Sequence, residues 1–115
     1  MAYHIGARIG IDGEKEYKRA ISEIGNSQKV LRSEMKLLAE QFEGQEGSAE
    51  ALTKKNDLLE RTLNTQQKKV DELRAALQNA ATSFGEADKR TMQWQEKLNL
   101  AEAELIRTNK QIKKT

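Results

Sequence analysis

From Tyr17 to Ile112, steps of four and three residues alternate through twenty-eight positions and meet no charged side chain. With 33 % of the chain charged, random placement would put about nine charges on that track. Its a sites include Ile21, Met35, Leu63, Val70, Leu77, Leu98, Leu105 and Ile112, and its d sites include Tyr17, Ile24, Leu31, Leu38, Leu52, Leu59 and Leu73. An apolar seam recurring every 3.5 residues predicts long helices wound around one another with a left-handed twist. Helices in an ordinary globule carry a wider apolar face than two positions in seven. The fold class read from the pattern is mainly α, with coiled-coil packing.

Two punctuation marks divide the helical region. Glu43-Gly44-Gln45-Glu46-Gly47-Ser48 ends in a good N-cap serine, and Ser83-Phe84-Gly85-Glu86-Ala87-Asp88 places a terminating glycine shortly before a capping aspartate. Gly25-Asn26 is a weaker mark. The spacing predicts helices over about 14–42, 49–83 and 88–113. The cap signals favour helices folded back as hairpins, which set Leu31 near Leu63, Leu73 near Leu98, and Gln28 opposite Gln66, where two interior amides can satisfy each other. The alternative is a continuous parallel coiled coil of ~150 Å at 1.5 Å per residue, with Asn56 at an a site as its register-setting polar layer.

Ahead of the helices, Tyr3, Ile5, Ala7, Ile9 and Ile11 alternate with His4, Gly6, Arg8 and Gly10. That period of two predicts a short strand, so the chain divides into a strand segment, 1–13, and a helical region, 14–115. No second strand follows. A lone strand needs a partner outside its own chain, supplied by strand addition.

The composition excludes several functions. Proline and cysteine are absent, so no disulfide framework, thiolate nucleophile or zinc cluster is available. His4 is the only histidine and has no base, thiol or second ligand beside it. Gly6-Ala7-Arg8-Ile9-Gly10 lacks the lysine of a phosphate loop. Twenty basic and eighteen acidic residues are interspersed, the pattern of solvated helix faces rather than of a basic stripe for nucleic acid. No apolar run approaches the ~20 residues needed to span a bilayer, and no secretion signal opens the chain. An enzyme has no constellation to stand on, and no cofactor or metal is expected. A structural or interaction protein remains.

The stretches IGARIGIDGEKEYKRAISEI, SQKVLRSEMKLLAEQF, SAEALTKKNDLLE and FGEADKRTMQWQEKLNLAEAEL together resemble the N-terminal region of tail tape measure proteins of long-tailed bacteriophages and prophages. The resemblance covers essentially the whole chain, with the strand-to-helix opening its most specific part. It implies an architectural role: tape measure proteins lie inside the growing tail tube, and tube subunits polymerise around them until the rod is covered. It also implies location in the virion tail after assembly in the bacterial host cytoplasm. The partners it implies are further copies of the chain in a homo-oligomer, tail tube subunits and tail assembly chaperones, with no membrane and no sequence-specific nucleic acid. At 115 residues the chain is far too short to measure a tail, so it reads as an N-terminal fragment or truncated copy that helps organise tail assembly and tail length. The expected self-association residues are Ile5, Ile9 and Ile11 in the strand and Ile21, Leu31, Asn56, Leu63, Val70 and Leu77 on the seam. The rival reading is a generic intracellular coiled-coil adaptor or oligomerisation module.

Overall fold

A computed structural model describes residues 10–114. The described chain is mainly α, in three helices: α1 (Gly10–Gln41), α2 (Ala49–Phe84) and α3 (Lys89–Lys114). Both neighbours of α2 fold back against it. Arg61 on α2 pairs with Glu34 on α1, and Lys69 on α2 reaches Gln28 on α1, so one helix descends as the other climbs. On the other side Arg74 pairs with Glu102 and Lys69 with Glu104, which sets α3 antiparallel to α2 in the same way. The Cα extents of 53 × 30 × 20 Å match a bundle about as long as the 36-residue α2, ~54 Å at 1.5 Å per residue. They do not match a single rod.

The N-terminal strand requires correction where it can be seen. Residues 3–9 of the expected strand, including Ile5 and Ile9, lie outside the described residues, as does His4. Gly10 and Ile11 are helical and open α1 four residues before the expected start. Glu14 and Glu16 fall in the first two turns, where carboxylates complement the positive end of the helix dipole. That local electrostatic preference competes with the alternation that suggested a strand. Gly25-Asn26 leaves no break, since α1 runs through it.

The two connections are built from the residues that marked them. In the first, the backbone N–H of Gln45 donates to Phe42 O at 2.8 Å and that of Ser48 to Gln45 O at 3.0 Å, with Gly44 at φ +83°. Ser48 Oγ then accepts from the N–H of Ala51 at 3.1 Å and caps α2. In the second, the Gly85 N–H donates to Ala81 O at 3.1 Å and the Asp88 carboxylate accepts from the Arg90 N–H at 2.8 Å, capping α3. Thr91 Oγ1 closes this turn by donating to Gly85 O at 2.7 Å. The Arg90 guanidinium lies 3.5 Å from the centroid of the Phe84 ring while also donating to both Asp88 oxygens.

The core lies in two clusters. The larger joins all three helices: Tyr17 from α1, Val70, Leu73, Ala76 and Ala80 from α2, and Trp94, Leu98 and Ala101 from α3. The smaller contains Leu31, Leu38 and Leu58, with Met35 and Phe42 against them, and draws only on α1, its following turn and α2.

Candidate interaction groove

The difference between the two clusters shapes the molecule. At the end where α1 begins, Tyr17 meets the cluster containing Trp94, and all three helices close over one core. Toward the α1–α2 turn that closure is lost. A groove of about 480 Å³ opens there, walled by Leu31, Met35, Leu38 and Phe42 of α1 and its turn, with Ala51 and Leu59 of α2 and Thr108 of α3 also lining it. The groove therefore follows the surface of α2 that α3 covers farther along.

Its inner end is polar. Gln28 and Gln66 both line it and both are buried, but they do not satisfy each other as the sequence suggested. Lys69 Nζ donates to Gln28 Oε1 at 3.4 Å and also lies 3.9 Å from Glu104 Oε1, so one lysine of α2 serves both flanking helices. Gln66 Oε1 is left without a hydrogen-bond partner among the described residues. A buried acceptor in that condition costs roughly 1–3 kcal/mol.

The rim carries four charges: Arg32, Glu46, Lys55 and Glu104. The two carboxylates are occupied. Glu46 Oε2 accepts from the Gly44 N–H at 3.0 Å, which holds its pKa below the ordinary carboxylate value, and Glu104 faces Lys69. Arg32 and Lys55 have no carboxylate partner among the described residues. Asp88, at the other end of the molecule, is likewise held low, chiefly by the Arg90 side chain and then by its backbone N–H.

The residues expected to mediate self-association are dispersed. Ile21 and Leu77 pack against the larger cluster, of which Val70 is a member. Leu31 belongs to the smaller cluster, Leu63 is half-buried, and Asn56 is exposed. Ile11 lies in the first turn of α1. The strict seam also needs correction on α2. Leu52, a d site, is 41 % exposed, while Ala51, Leu58 and Ala76, all off the seam, are buried. The middle helix packs against two neighbours in different directions, so it buries a stripe wider than two positions in seven. The adjacent pairs Leu58-Leu59 and Ala75-Ala76 are the signal of that second face in the sequence.

The described residues contain no group of three or more His, Cys, Asp or Glu side chains placed to hold a metal ion, and no helix among them is long and apolar enough to cross a membrane. Compared with family models, curated proteins and solved structures, the chain matches none.

Proposed function

We propose that this chain is a structural, helix-packing module that works as the N-terminal part of a phage tail tape measure protein and helps organise tail assembly. The observation that carries the helix-packing half is the core, in which Tyr17 of α1, Val70 and Leu73 of α2, and Trp94 and Leu98 of α3 are buried in one cluster. The uncharged seam supports a finer reading, in which α1, α2 and α3 interlock as short antiparallel coiled coils with knobs-into-holes contacts. The tail assignment draws its support from the four sequence stretches that resemble tape measure proteins. On this reading the chain acts in several copies and meets tail tube subunits and tail assembly chaperones, and chemistry plays no part.

The test is assembly. Genes for tail tube, assembly chaperone and baseplate proteins should adjoin the gene for this chain. Purified chain mixed with that tube subunit or chaperone should co-sediment in analytical ultracentrifugation. Neighbours unrelated to tails, together with independent sedimentation, would refute the tail assignment and leave the helix-packing module standing.

A further inference from the structure

We propose that the α1–α2 turn is a hinge through which two copies of this chain exchange α1. Each copy straightens residues 10–84 into one helix and lays its α1 against the α2 and α3 of the other. The inference rests on the reading of the chain as a helix-packing module and is independent of the tail assignment.

The seam supplies the first observation. It passes from Phe42 through Gln45 and Ala49 to Leu52 without a change of phase, although the chain reverses direction between α1 and α2. Helix–helix connections run to about two to eight residues, and most of those lengths would shift a heptad frame. A closed hairpin makes no use of the continuity, whereas a straight helix needs it to present one seam along its whole length. The closed form also leaves the seam unfinished here, with Leu52 41 % exposed, Asn56 exposed and Phe42 half-buried. In an exchanged pair, the register that sets Glu34 opposite Arg61 brings Phe42 of each copy close to Leu52 of the other.

The turn contains nothing that bars a helix. Proline is absent from the chain, and the positive φ of the turn falls on Gly44, at +83°. The N–H groups of Gln45 and Ser48 each donate to a carbonyl three residues back, and a continuous helix would give them carbonyls four residues back instead. The second turn is tied down more heavily. Thr91 Oγ1 donates to Gly85 O, Arg90 lies on Phe84 while bonding Asp88, and Phe84 packs against the larger cluster. Opening therefore falls at the first turn. Exchange remakes the contacts of α1: Glu34 with Arg61, Gln28 with Lys69, and Tyr17 in the larger cluster. The opened pair then loses mainly the freedom of two separate molecules.

The experiment mixes two spin-labelled preparations of the full chain, one labelled at Ser33→Cys and the other at Asn64→Cys, with gentle warming at high concentration. Electron-electron resonance should find roughly 20 Å between chains, because an exchanged α1 lies beside the other copy's α2. Small-angle scattering should give the dimer a maximum dimension of ~110 Å, the merged helix at 1.5 Å per residue. Gly44→Ala with Gly47→Ala should tighten dimerisation about a hundredfold, since alanine favours helix at four positions per dimer and strains the closed turn at residue 44. Glu46→Pro suits the second position of the closed turn from Gln45 to Ser48 but breaks a helix. It should abolish the dimer, with helix content by circular dichroism unchanged. Absence of an inter-chain distance overturns the proposal, as does one near ~47 Å, which parallel rods would give. A dimer that survives Glu46→Pro overturns it as well. None of these outcomes bears on the tail assignment, which is tested by gene neighbours and co-sedimentation.

Discussion

Arg61 Nη2 donates to Glu34 Oε2 at 3.1 Å across the α1–α2 interface, joining residues twenty-seven apart in the chain. The pair is half exposed and adds little stability by itself. Its meaning is geometric: in a continuous helix the same residues would stand ~40 Å apart.

That difference is directly measurable. The chain has no cysteine, so Ser33→Cys with Asn64→Cys, both at exposed positions, gives a unique pair of spin-label sites. Electron-electron resonance should place the labels roughly 20 Å apart, an interaxial distance of 8–10 Å plus two label arms. A distance near ~47 Å, from thirty-one residues of unbroken helix, would instead identify the rod.

Leu73 and Leu52 occupy equivalent seam sites but unequal environments. Leu73 is fully buried among three helices, whereas Leu52 is 41 % exposed. Leu73→Ala should lower unfolding free energy by about 2–5 kcal/mol in a urea titration, and Leu52→Ala by less than about 1 kcal/mol. Equal losses would mean that α2 buries its seam evenly from end to end.

Gln66 offers the opposite sign. Its Oε1 is buried with no donor among the described residues, so Gln66→Met should hold stability level or raise it by about 1 kcal/mol. The same assay checks this, and a loss above about 1 kcal/mol would show that the amide is satisfied in solution.

The turns should be sensitive at single residues. Gly85 sits at φ +96°, ψ 154°, a conformation nearly closed to residues with a Cβ, although a methyl group there would meet no neighbour within 4 Å. Gly85→Ala should therefore cost about 1–3 kcal/mol through backbone strain alone. Ser48→Ala should cost about 1 kcal/mol by removing the acceptor for the Ala51 N–H. Thermal melts followed by circular dichroism report both.

Acid should loosen the α2–α3 turn. The Arg90 side chain lowers the Asp88 pKa in the folded chain below its ordinary value of 3.8, so the ionised form is favoured by folding. The stabilisation is present above that ordinary value and is lost as pH falls through the lower, folded one. Asp88→Asn should flatten the stability profile below about pH 4, most visibly in the amide hydrogen exchange of Arg90 and Met92.

Much of the architecture was legible because it is local. Ser48, Gly85 and Asp88 mark their helix ends with side-chain and backbone chemistry that acts within a few residues, and the structure uses each for that purpose. The groove was not legible. No local rule says that Gln66 forfeits its expected partner when Lys69 takes Gln28, or that Arg32 and Lys55 have no carboxylate partner among the described residues beside the groove.

The sequence by itself determined that this chain builds long helices, where two turns interrupt them, and which side of each helix avoids charge. Periodicity and capping act along the chain, so they are visible in it. Only the tertiary structure decided that α2 lies between α1 and α3. That placement gives one helix two packing directions, widens its buried stripe to include Ala51, Leu58 and Ala76, and leaves Leu52 and Asn56 facing solvent. It also closes the helices together at Tyr17 and Trp94 while a groove opens toward Phe42, because the width of a three-helix layer depends on which side chains from all three helices meet in it.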